Sequence, residues 1–162
     1  MTDLLSTLQE FHREKLGLLM SHQAAARLVG QYDINNTYQY IVNREETQLS
    51  WLAVAIAELG GTVEHNAPEP ARRVSGKGAH STNTVFEEDS RAAQAFVDRW
   101  QPRVEAMANA RHRGMLRVIL GETIEQKRFF EQARAGQMDL LGLRGKNVGE
   151  RVGEVLPTRW IE

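Results

Sequence analysis

Six polar side chains at matched spacings are the residues of this chain best placed to do chemistry: His12, Glu45, Gln48, Asp89, Glu122 and Glu125. His12 precedes Glu45 by 33 residues, and Asp89 precedes Glu122 by the same 33. Gln48 follows Glu45 by 3, and Glu125 follows Glu122 by 3. A shift of 77 residues therefore lays the first set over the second, in position more than in residue type. On a helix, an i, i+3 pair shares one face, so both side chains can reach the same ion. Carboxylates that converge in an apolar core repel one another and are costly to desolvate, so a cation or shared protons must compensate. Two such hairpins face to face would form a two-metal site with a mostly oxygen ligand set, which favours hard ions. With no cysteine in the chain, thiolate ligands, thiol catalysis and a disulfide framework are excluded.

The elements that must position these residues read as helices, because apolar residues recur at helical spacing and sustained strand alternation is lacking. The first helix spans about residues 3–29, with Asp3 as N-cap, Gly30 as stop and the stripe Leu5, Leu8, His12, Leu16, Leu19. A turn at about 31–35 leads to a second helix that ends at Gly60-Gly61 and carries Tyr38, Ile41, Glu45, Gln48, Leu52, Ile56 and Leu59 inward. A long connection, 61–83, holds Pro68, Pro70 and several glycines. The third helix begins near Thr84 and points Phe86, Asp89, Ala93, Phe96 and Trp100 inward, with Pro102 ending or kinking it. After a turn placed at 101–108, the fourth helix runs to Gly136 with Met107, Arg111, Met115, Val118, Glu122, Glu125 and Phe129 on one face. Two helical hairpins joined by one long crossover make an all-α, ferritin-like four-helix bundle over residues 1–136. A Gly-rich tail, 137–162, ends in the apolar residues Leu156, Trp160 and Ile161 and is expected to pack on the bundle or on a partner subunit.

On these residues the chain resembles the ferritin-like superfamily, and within it the rubrerythrin and bacterioferritin type. That family draws one Glu from each of helices one and three and a Glu-x-x-His pair from each of helices two and four. Glu45-Glu46-Thr47-Gln48 is similar to the second-helix segment with Gln48 in place of the histidine. Glu122-Thr123-Ile124-Glu125 is similar to the fourth-helix segment with Glu125 in place of it. Asp89 matches the third-helix carboxylate, and His12 falls where the first-helix Glu is expected. The resemblance covers residues 3–136 and implies a di-iron or di-manganese centre bridged by Glu45 and Glu122, with oxygen or peroxide chemistry. Four of its six ligand positions depart from the family pattern, which opens a second expectation. In it the fold is kept, no metal is bound, and Lys15, Arg111 or Arg128 neutralises the carboxylates. The chain then acts as an assembly, partner-binding or ligand-binding bundle.

Composition narrows the partners. Twenty Lys and Arg against 21 Asp and Glu give a net charge of −1, without the basic excess that nucleic acid or an anionic membrane would call for. No run of 18 apolar residues provides a membrane span, and residues 1–10 show no cationic segment followed by an apolar one, so a cytoplasmic chain is expected. Metal ions and a second copy of the chain, as a homodimer, are the expected partners. Arg72, Arg73, Lys77 and His80 form a basic loop that reads as solvated rather than phosphate-binding, and Gly145-Lys146 lacks the preceding strand of a phosphate loop. His65 and His80, on the long connection, are further candidates for a surface ion.

Overall fold

The computed structural model describes residues 3–74, 81–137 and 139–142. Four helices account for most of it: α1 (Leu4–Leu28), α2 (Tyr32–Glu58), α3 (Asn83–Glu105) and α4 (Ala110–Arg134). Among the described residues there is no strand, and no helix is long and apolar enough to cross a membrane. α1 packs on α2 and α3 on α4 as two hairpins, and the hairpins meet through α2 against α4 and α1 against α3. Residue pairs fix the directions. Asn35 reaches Ala26 and Ser90 reaches Glu131 within the hairpins, Tyr40 meets Phe129 while Glu58 meets Arg111, and Glu10 meets Arg103 while Glu14 meets Arg99, so every adjacent pair is antiparallel. The diagonals, α1 with α4 and α2 with α3, are parallel and meet only through long side chains across the core, such as Lys15 to Thr123 and Tyr38 to Asp89. This is the two-hairpin bundle with a long crossover that the sequence led us to expect.

The helix ends follow local chemistry. Gly60 and Gly136 have φ of +82° and +94°, a conformation that costs glycine little, and the backbone N–H groups around them satisfy the last carbonyls of α2 and α4. Asn35, expected in a turn, instead lies inside α2, because its side-chain amide donates to the carbonyls of Ala26 (2.8 Å) and Val29 (3.4 Å) and closes the end of α1. Pro102 does not end α3, which continues to Glu105. The turn is correspondingly later and shorter than expected, and α4 starts at the N-cap Asn109, whose side chain accepts from the His112 N–H at 3.0 Å.

The crossover runs up the face formed by α1 and α3. Gln9 donates to the Thr62 carbonyl at 3.0 Å, Arg13 lies 3.8 Å from Glu64, Arg27 pairs with Glu69, and Arg72 reaches Ser21. The apolar core divides into two clusters. One gathers Leu8, Phe11, Leu52, Ile56, Trp100, Leu116 and Ile119. The other gathers Val29, Ile34, Tyr38, Phe86, Phe130 and Ala133. Between them, at the level of residues 15–22, 45 and 123, sits a buried polar layer, with Asp89 next to it.

Candidate functional site

Lys15 is the centre of that layer. Its side chain and that of Glu45 are both 0% exposed, and Lys15 Nζ donates to Glu45 Oε1 at 3.3 Å and to Thr123 Oγ1 at 3.4 Å. The ammonium also stands 5.7 Å from the centroid of the Phe96 ring, so α2, α4 and α3 each supply one favourable contact to a cation carried by α1. Thr123 is free to accept because its own hydroxyl donates to the Ile119 carbonyl at 2.8 Å. On its other side, Glu45 receives His22 Nδ1 at 2.9 and 3.0 Å. Burial by itself would raise the Glu45 carboxyl. The charges of His22 and Lys15 and the hydrogen bonds from both outweigh it and hold the group below the usual carboxylate range. His22 Nε2, by contrast, is buried without a partner.

A second polar knot lies one layer away. Asp89 accepts from the Tyr38 hydroxyl and from Arg72 Nη1, the latter at 2.7 Å. Burial, followed by the charge of Asp89 and the hydrogen bond to it, raises the Tyr38 phenol well above its ordinary value. Arg72 also donates to the carbonyls of Ser21 (3.1 Å) and Val85 (3.2 Å) and to Glu88 (3.1 Å), and its side chain is only 7% exposed. The expectation of a solvated basic loop therefore fails at Arg72. This guanidinium is a buried latch that ties the crossover to α1 and α3.

The six residues singled out from sequence are distributed over separate environments. Glu45 pairs with Lys15 and His22, and Asp89 with Tyr38 and Arg72. Glu122 is bound by Gln48 Nε2 and by Arg44, whose Nε donates at 3.1 Å, so only Gln48 and Glu122 among the six touch each other. Glu125 sits on the surface with Arg128, and Arg111 pairs with Glu58 rather than with a core carboxylate. His12 is buried under the crossover, beside a cleft of about 210 Å³ lined by Gln9, Thr62 and Glu64. Burial, with a further push from the charge of His65 and opposed by Glu64, holds its imidazole below the usual value.

The distribution has one main cause, a rotation of α4. The residues α4 buries are His112, Leu116, Ile119, Leu120, Thr123, Gln126, Phe129, Phe130 and Ala133. That face lies one residue, or about 100° of rotation, from the expected one through Arg111, Met115, Val118, Glu122 and Glu125. Leu116, Ile119, Leu120 and Phe130 select it, because together they bury more apolar surface than the expected stripe. The repeat between the hairpins consequently has an offset of 78 rather than 77, and it aligns three buried residues of each: Lys15 with Ala93, Glu45 with Thr123 and Gln48 with Gln126. One hairpin brings a single carboxylate to the centre, already neutralised by an ammonium; its counterpart brings only Asp89, one helical turn from Ala93 and already paired with Arg72 and Tyr38. This donor set does not fit a pair of divalent ions, which needs several anionic oxygens free to coordinate. Among the described residues no group of three His, Asp or Glu side chains is placed to hold a metal ion.

Sequence reasoning named Lys15 as one of three cations to neutralise the carboxylates without placing it on the α1 stripe, and it passed over His22, although the signal was present. Leu8, Phe11, Lys15, Leu19 and His22 follow one another at spacings of 3 and 4, an inward stripe whose polar members are a cation and an imidazole. The chain matches no family model, no curated protein and no solved structure.

Proposed function

We propose that this chain is a ferritin-like bundle that works without metal, with an internal ammonium as the central cation, and that it serves as a non-catalytic assembly or partner-binding protein. One observation carries the reading: Lys15 Nζ, fully buried, lies within hydrogen-bond distance of Glu45 and Thr123 and against the Phe96 ring. A divalent cation at Glu45 would have to displace that ammonium or sit beside it. The first alternative strands a charged Lys in an apolar core, and the second sets like charges close together in a medium of low dielectric. Oxygen or peroxide chemistry on iron or manganese needs the opposite arrangement, carboxylates left open to the metals.

Metal analysis of protein purified without chelator tests the reading. Substoichiometric iron and manganese are expected, in equal amounts in the parent chain and in Glu45→Ala and Glu122→Ala. Stoichiometric metal that disappears in both variants would restore the two-metal centre.

A further inference from the structure

The described residues cover the bundle unevenly. Crossover residues 62–72 lie along α1 and α3, while among the described residues large apolar side chains stay exposed on the opposite face, between α2 and α4. That face is apolar: Val54 and Val118 are 58% and 52% exposed, Tyr40 is 45% exposed, and Trp51 and Met115 are partly buried between them. A groove of about 270 Å³ opens there, lined by Trp51, Val54, Ala55 and Met115 among others. The charges around it are already paired, Arg44 with Glu122, Arg111 with Glu58 and Arg128 with Glu125, so the face has no net field to recruit a charged partner.

The chain itself leads to this face. After α4, Leu140 is buried with Val29, Ile34, Phe129 and Ala133, at the end of the bundle where α1 turns into α2. Tyr40 and Phe129, with ring centroids 6.5 Å apart, begin the exposed α2–α4 strip at that end. Residues 143–162 follow, outside the described residues, and they carry Leu156, Trp160 and Ile161. Fourteen residues separate Gly142 from Leu156, and extended chain spans up to about 3.3–3.6 Å per residue, which gives a reach of about 46–50 Å. Val118 lies 16 residues before the end of α4, about 24 Å away along a helix rising 1.5 Å per residue. The apolar end of the tail therefore reaches the groove with length to spare.

We propose that the α2–α4 groove is the docking site of the chain's own C-terminal segment, with Leu156, Trp160 and Ile161 seated against Trp51, Val54, Met115 and Val118. The segment then does for α2 and α4 what the crossover does for α1 and α3. This goes beyond the metal-free reading and is independent of it.

Because the chain has no cysteine, pairs can be introduced cleanly. Val118→Cys is combined in turn with Leu156→Cys, Trp160→Cys and Ile161→Cys in the full chain, oxidised at low protein concentration and run on a non-reducing gel. At least one pair is expected to give a faster-migrating, internally bridged monomer as its main product. Bridged dimers as the main product would assign the groove to a second copy and overturn the proposal. So would the absence of any bridge from all three pairs in protein that retains its helical circular dichroism.

Discussion

Lys15 and Glu45 are each fully buried, and a lone charge at either position would cost several kcal/mol. Their value to the fold lies in the pairing. Removing one partner alone is therefore much worse than removing both. Lys15→Met is expected to lower the unfolding free energy by about 3–5 kcal/mol, and Lys15→Met with Glu45→Leu to recover most of that loss, as read from urea unfolding with an unchanged m-value. Glu45, held below the ordinary carboxylate range, contributes stability that is present at neutral pH and is lost as pH falls through its lowered value. His12 acts in a different window. Its imidazole is held below the usual value, so the unfolded chain binds the proton first as pH falls. Stability should decline from about pH 6.5 downward until the folded imidazole also titrates. His12→Gln is expected to flatten that part of the stability–pH curve relative to the parent chain, and a difference confined to higher pH would contradict the assignment. Residue types alone could not locate this chemistry. The six candidates and Lys15 were all visible in the sequence, but which carboxylate met which cation depended on rotations that single residues do not encode.

At the scale of elements, α2 and α3 bury the faces their apolar spacing indicated, α1 does so in part, and α4 does not. In α2 the inward set from Tyr38 to Ile56 is buried as expected while Leu59, just past the helix end, is exposed, and in α3 Phe86, Asp89, Ala93, Phe96 and Trp100 are buried. α4 differs because its start was hidden. Pro102 reads as a breaker, yet the helix passes through it, and the true start is marked by a single Asn two residues beyond Met107. A helix boundary moved by a few residues is enough to exchange one candidate face for its neighbour when charged and apolar residues alternate as they do from 111 to 125. The Asn109 cap is expected to be worth about 1 kcal/mol, so Asn109→Ala should lower the unfolding free energy from urea titration by that amount, moving the midpoint down at unchanged m-value, without altering helix content. Arg72 matters more than its loop position indicates. Arg72→Met leaves Asp89 with the Tyr38 hydroxyl as a hydrogen-bond donor but without its cation. The expected result is faster hydrogen exchange and proteolysis in the crossover at 61–74, with the four helices still protected. Uniform loss of protection across all four helices would show instead that the latch is part of the global unfolding unit.

The whole molecule reads as two hairpins that share a plan and have diverged at its centre. Overall architecture was legible because it rests on many residues: long apolar stripes, Gly-marked ends and one connection too long for a hairpin. The site was not, because it rests on few. Under the observed packing the two hairpins align Lys15, Glu45 and Gln48 with Ala93, Thr123 and Gln126, so the centre is one ammonium–carboxylate pair with His22 on the carboxylate's other side. The proposed reading is that such a bundle folds without metal, and thermal unfolding reports that dependence directly, since a ligand that binds the native state at 100 times its dissociation constant stabilises by about 2.7 kcal/mol. The decisive measurement is the melting temperature of the parent chain and of Glu45→Ala, each with excess manganese or ferrous ion under anaerobic conditions and each with chelator. An ammonium-centred core predicts the same melting temperature for the parent chain with metal and with chelator. A clear rise with metal that is reversed by chelator and absent in Glu45→Ala would contradict it.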